Sequence, residues 1–238
     1  MRKAVLAAAL AVGFGAFVVS SQTPALSQQA SASEQQQLID KAKVSIEALR
    51  GDANMGRTVD NYLARARAVL IFPNLVKAGF FVGAGGGQGV LLVRRGPGWS
   101  DPVFFYAADA SFGLQIGVSG GQVIFTVMND GALQKLLHGN ATLGGDLSVA
   151  VGPFGGGVQG DTTPNAGADL VAFSLQQGAF AGVALKGGIV EPRHEWNEAY
   201  YGRGAGPDRI INGAFNAPGS RELRVALSNP PMRHTSER

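Results

Sequence analysis

The sequence predicts an α+β fold that is mainly β: a curved, barrel-like antiparallel sheet of glycine-rich strands, with two N-terminal helices and one short internal helix. Apolar residues recur at helical spacing between Glu34 and Leu70, and from Phe80 onward the apolar period changes to two. Many of the alternating stretches set a bulky face against a Gly, Ala or Ser face, and 35 of the 238 residues are glycine. Glycine inside a strand weakens it and marks a bend or a close approach. A tightly curved sheet, or a helix lying close upon one, meets that description.

The elements follow in order. Met1-Arg2-Lys3 is a positive n-region, Ala4 to Val19 an apolar h-region, and Ala25-Leu26-Ser27 a small-x-small cleavage site before Gln28. Residues 1–27 are therefore expected to be a signal peptide, with a weaker cleavage site at Ala30-Ser31-Ala32 and an uncleaved anchor as the alternative. Residues 28–37 are Gln, Ser and Ala with one Glu, a polar linker by composition. Leu38, Ala42, Ile46 and Leu49 then fall on one helical stripe, with Lys41, Lys43, Glu47 and Arg50 elsewhere, and Gly51-Asp52 closes the helix. Val59, Tyr62, Leu63, Ala66 and Leu70 form a second stripe ending before Pro73, expected to pack on the core.

Strands follow. Gly89–Val93 and Pro102–Tyr106 are apolar runs separated by the turn Gly96-Pro97-Gly98. Phe112, Leu114, Ile116 and Val118 alternate with small or polar residues, Gly120-Gly121 is expected to turn the chain, and Val123–Met128 runs back. Asp130–Leu137 is a short helix closed by Gly139-Asn140. Leu147–Val151, Val171–Leu175 and Ala179–Leu185 repeat the strand pattern. A single domain is expected over 38–215, with 216–238 a polar, flexible C-terminal tail.

Composition excludes several classes. Hydrophobic residues make up 45% and charged residues 16%, the opposite of a disordered chain. The glycines show no Gly-X-Y period, so collagen is out. With no cysteine there is no disulfide, thiolate metal site or cysteine nucleophile. The formal charge of +3 becomes +1 without Arg2 and Lys3, and splits into +4 over 33–100, −6 over 101–200 and +3 over 201–238. That balance fits no general nucleic-acid binder, though a basic first third could lie on an anionic surface. After residue 27 no stretch is apolar for 18 residues, so a mature chain is expected to have no transmembrane helix.

The chemical motifs fail on inspection. Gly83-Ala84-Gly85-Gly86-Gly87-Gln88-Gly89 does not give G-x-G-x-x-G in either frame and precedes a strand, so it is expected to be a flexible bend between strands. Gly117-Val118-Ser119-Gly120-Gly121 matches G-x-S-x-G, but a β-rich run follows where a nucleophile elbow requires a helix. Ser119 is therefore expected to be a hairpin residue. Glu191, His194, Glu195 and Glu198 would share a face only on a helix, against which Pro192 and the strand pattern argue. A lone His without a second at ligand spacing is a poor metal site. No enzyme, cofactor or metal is expected.

The order of several stretches resembles the Ysc84-type, or SYLF, lipid-binding domain family. The stretches are Ala68–Pro73, Lys77–Phe80 leading into the glycine run, Gly89–Leu92, Gly98-Trp99-Ser100-Asp101-Pro102, Phe112–Gly117, Leu143–Asp146 with Gly152-Pro153, Gln177–Gly182, and Asn197 to Tyr201, collinear over roughly 38–215. Eukaryotic members bind phosphoinositides and some bind actin; bacterial members are exported, and actin is no partner for an exported chain. The resemblance implies phospholipid binding through the amphipathic N-terminal helix, which maps onto Leu38, Lys41, Lys43, Ile46, Leu49 and Arg50.

The expected function is thus an exported, non-enzymatic phospholipid-binding protein, periplasmic or secreted and peripheral on anionic envelope membranes. The alternative is a structural envelope or protein-interaction module, homo-oligomeric or partnered through its glycine-smooth sheet. A hydrolase using Ser119 ranks third.

Overall fold

A computed structural model of the chain describes residues 24–80, 82–112, 117–139, 141–152, 167–175 and 187–229. Among them, eight strands form one curled, half-barrel sheet: β1 (Ala68–Phe80), β2 (Val82–Arg95), β4 (Val103–Phe112), β5 (Gly117–Val127), β6 (Ala141–Thr142), β7 (Val149–Val151), β8 (Leu170–Phe173) and β9 (Ile189–Pro192). Their order is β6-β9-β4-β2-β1-β5-β8-β7, and the two-residue β3 (Gly98–Trp99) pairs with β2. Neighbours are antiparallel except β7 and β8, which run parallel. The expected fold class holds.

An apolar core lies on each face of the sheet. On one, Leu70, Phe72, Leu91, Phe105 and Phe125 meet α3 (Asp130–His138) and Ile210 of the short α5 (Pro207–Ile211). On the other, Val69, Ile71, Val90, Phe104 and Ile124 meet α1 (Pro24–Gly51), α2 (Gly56–Arg65) and α6 (Arg221–Ser228). Successive strand residues point to opposite faces, so strands covered on both sides are apolar throughout. That corrects the second helical stripe: α2 ends at Arg65, and Leu70 belongs to β1. Pro73 does not end an element either. It sits where the pairing of β1 shifts register with both neighbours, a bulge that tolerates a residue without an N–H.

The glycine run is a second correction. Residues 83–89 lie inside β2, where a Cβ on Gly86 would come within 2.8 Å of the Ala107 carbonyl oxygen and one on Gly87 within 2.5 Å of that of Asn74. Glycine is needed there for close strand approach rather than for a bend. Gly120-Gly121 likewise lies within β5, so no turn occurs there.

Both expected terminal tethers are structured as far as residue 229; residues 230–238 lie outside the described residues. The polar run 28–37 is the first part of α1. Past residue 216 the chain makes a 3-10 turn (Pro218–Ser220) and then α6, which buries Leu223 and Leu227. Ser220 and Arg224 reach back to Asp101: the Ser220 hydroxyl donates to it at 2.7 Å, and the Arg224 guanidinium lies 3.6 Å away. Ser100 adds a bond from the Val93 N–H at 2.9 Å. The Trp99-Ser100-Asp101 stretch therefore fastens the C-terminal helix to the sheet. The expected strand at 179–185 lies outside the described residues.

Candidate functional site

Helix α1 crosses the sheet, and the side chains expected to touch lipid divide three ways. Leu38, Ile46 and Leu49 face inward; Ile46 is fully buried and Leu49 is 1% exposed. Their partners include the sheet and helices α2 and α6. Arg50 is also buried: its Nε donates to Asp60 at 2.7 Å, and its Nη1 donates to the Ala226 carbonyl at the end of α6. A buried guanidinium with both partners in place is a structural tie between three helices.

The two lysines stay accessible, on opposite flanks of the helix. Lys43 lies on the α6 side, 3.6 Å from Glu47 one turn on, in a shallow groove with Val225. Lys41 lies on the other side, with Asp40, Val44, Ser45, Pro73 and Gln122 around an open depression of about 370 Å³. Val44 is 64% exposed, and Val76 on the adjoining stretch of β1 is 39% exposed. A cation beside a solvated apolar side chain is a pairing suited to an interface with charged headgroups above and hydrocarbon below. Sequence reasoning passed over Val44 because it falls off the buried stripe. An apolar residue on the otherwise polar face was the available signal. Pro73 and Gln122 are distant in sequence, and only the bulge and β5 bring them there.

Around α4 (His194–Tyr201) the chemistry is structural. Glu191 ends up on β9 while His194, Glu195 and Glu198 are helical, a change from the expected strand pattern. Arg193 donates to Glu195 at 2.8 Å and holds its carboxyl below the usual range. Glu198 accepts the Gly204 N–H at 2.8 Å. Among the described residues no three His, Asp or Glu side chains assemble as a metal site. Asn197, fully buried, accepts the Phe104 N–H at 2.8 Å and donates to its carbonyl at 3.3 Å, pinning the helix to β4. The Tyr201 hydroxyl donates to the Pro102 carbonyl, and burial pushes its pKa up.

Ser119 sits inside β5, opposite Lys77 of β1, and the strand continues to Val127. The strand-turn-helix of a nucleophile elbow does not occur at that position. Its side chain lies outside those described.

Comparison with known proteins gives a consistent picture. The family described as "Ysc84: Las17-binding protein actin regulator" matches residues 108–229. SH3 domain-containing YSC84-like protein 1 of Bos taurus is 32% identical over 162 residues, 67% of this chain and 47% of that protein. The Homo sapiens protein of the same name is 35% identical over 141 residues, 58% of this chain and 41% of that protein. LAS seventeen-binding protein 3 of Saccharomyces cerevisiae (strain ATCC 204508 / S288c) is 32% identical over 160 residues, covering 66% and 35%. The chain spans half or less of the length of these relatives.

Proposed function

The chain belongs to the Ysc84 family, and from that premise we propose that it is a non-enzymatic binding module whose ligand is an anionic phospholipid surface. The observation that carries this reading is Lys41 beside the solvated Val44 on the outer flank of α1. The buried stripe of α1 is already engaged with the sheet, so contact falls to this flank rather than to Leu38, Ile46 and Leu49. One lysine near an anionic surface contributes about 1 kcal/mol, so the charge recruits and apolar contact retains. We propose further that the chain is exported, on the strength of Arg2, Lys3, the apolar run Ala4–Val19 and the Ala25-Leu26-Ser27 site. N-terminal sequencing of exported material should then begin at Gln28; a Met1 start overturns export with cleavage.

The binding test is co-sedimentation of the exported chain with phosphatidylglycerol and phosphatidylcholine vesicles. The wild type should prefer the anionic vesicles. Lys41→Glu should weaken that binding about tenfold at low salt, with the loss shrinking as ionic strength rises. Val44→Asp should weaken binding at every salt concentration, and both variants should melt as the wild type does because both side chains are solvated. Equal binding of wild type and both variants would remove this flank from the mechanism. No sedimentation of the wild type would favour a protein partner over a membrane.

A further inference from the structure

The depression beside Lys41 is built from polar groups of both signs. Asp40, Lys41, Val44 and Ser45 of α1 line it together with Pro73 of β1 and Gln122 of β5, around about 370 Å³. Ser45 is only 3% exposed, yet its hydroxyl has no hydrogen-bond partner among the described residues. The Lys41 ammonium and the Gln122 amide have none there either. Asp40 accepts the Gln36 amide on one carboxylate oxygen at 3.0 Å, and its other oxygen has no hydrogen-bond partner among the described residues. A buried hydroxyl without a partner forfeits the bonds it made in water, so a ligand that supplies one gains from it. Apolar surface adjoins these groups. Val44 is 64% exposed and Val76 39%. Leu75 packs on the opposite face of the sheet, so alternation turns Val76 to the face that α1 crosses.

We propose that this depression seats the headgroup of phosphatidylethanolamine, its phosphate oxygens accepting from Lys41, Ser45 and Gln122 and its ammonium donating to Asp40. The proposal rests on the phospholipid reading and names the headgroup that the Lys41 flank selects. Charge complementarity carries it. Lys41 and Asp40 cancel, so the depression matches a zwitterion, whereas a purely anionic group would set its charge against Asp40 as well as Lys41. The ammonium of ethanolamine keeps three N–H donors for a carboxylate, as a lysine ammonium does, and the trimethylated nitrogen of choline has none. Ethanolamine therefore makes a hydrogen bond that choline cannot. Val44 and Val76 decide between a lipid and a free zwitterion, because a soluble molecule in the depression would leave both in water. In a phospholipid the headgroup and the hydrocarbon are joined, so one ligand meets both surfaces. An anionic bilayer still attracts the chain as a whole, and ethanolamine lipid within it supplies the specific contact.

The test holds phosphatidylglycerol constant and exchanges the zwitterionic lipid. The exported chain is co-sedimented with vesicles of phosphatidylglycerol mixed with phosphatidylethanolamine, its N-monomethyl and N-dimethyl forms, or phosphatidylcholine. Affinity should be about threefold to fivefold higher with ethanolamine than with choline, the worth of one exposed ionic contact, and should fall as methyl groups replace N–H. Asp40→Asn should bind the ethanolamine and choline vesicles alike. A preference that survives in Asp40→Asn comes from the looser packing of an ethanolamine bilayer and overturns the proposal. Ser45→Ala should weaken binding to the ethanolamine vesicles about twofold or more without lowering the melting temperature, since it loses no bond within the fold. An unchanged affinity overturns the placing of the phosphate. If the wild type binds every composition equally, the headgroup is wrong and the phospholipid reading stands. If it sediments with none, the phospholipid reading itself falls. Soluble phosphoethanolamine that shifts the amide resonances of Lys41 and Ser45, without displacing the chain from ethanolamine vesicles, assigns the depression to a free zwitterion and overturns the proposal. Should Ser45→Ala fail to fold, the methylation series on the wild type and on Asp40→Asn still decides.

Discussion

Gly89 lies across from the bulge in β1, and a methyl group there would sit 2.6 Å from the Phe72 ring and 2.7 Å from the Ile71 carbonyl oxygen. The carbonyl is backbone and Phe72 is fully buried, so neither moves aside cheaply. Gly89→Ala should destabilise the chain by about 1–3 kcal/mol, the usual range for overpacking. Gly120→Ala, whose Cβ would have no neighbour closer than 3.5 Å, should stay within about 0.5 kcal/mol of wild type. Urea-unfolding midpoints of the two variants check this; equal midpoints would refute it. Asp169 gives a pH dependence of definite sign. Burial pushes its carboxyl up, but hydrogen bonds from Asn129 and Ser148 outweigh that and hold it below the ordinary value. A depressed folded pKa contributes stability above the unfolded value, about 3.9, and that stability is lost as pH falls through the folded pKa. Asp169→Asn should therefore lower the urea midpoint at pH 7 more than at pH 3. An equal loss at both would show that the carboxylate charge plays no part.

At the scale of elements, helix α1 carries the sharpest consequence. Ile46 is fully buried between α1 and the sheet, so Ile46→Asp places a carboxylate in an apolar core. The expected loss is about 4 kcal/mol or more, seen as a fall of many degrees in melting temperature. A variant that melts normally yet loses vesicle binding would return the stripe to the membrane. Other elements differ in how far their sequence betrays them. Helix α3 was legible because Asn129 caps it, accepting the Ala132 N–H at 2.8 Å, and its apolar stripe is continuous. Helix α6 was not, since only Leu223 and Leu227 are buried in a polar segment whose Val225 is 43% exposed. Two contacts one turn apart are too short a stripe to reveal a helix. Strand β1 was misread in part because Ala68–Phe72 is buried on both faces and so shows no alternation.

For the whole molecule, local sequence determined the kind of most elements and the α+β class, because periodicity and side-chain volume act within a few residues. The family resemblance was legible for the same reason: its motifs are contiguous. Tertiary structure decided what those patterns face. An amphipathic stripe specifies that Leu38, Ile46 and Leu49 leave water, but a sheet and a bilayer are equally apolar, and only packing assigned them to the sheet. Arg50 looked like one more surface cation until Asp60 and the Ala226 carbonyl met it across three helices. Lys41 has Val44 one helical turn away, but it gained Pro73 and Gln122 as neighbours only where α1 packs on the sheet, which no local segment contains. The alignment of Lys77 with Asp109 across Gly85 is a property of strand register. Register joins residues far apart in the chain, and no single segment contains it.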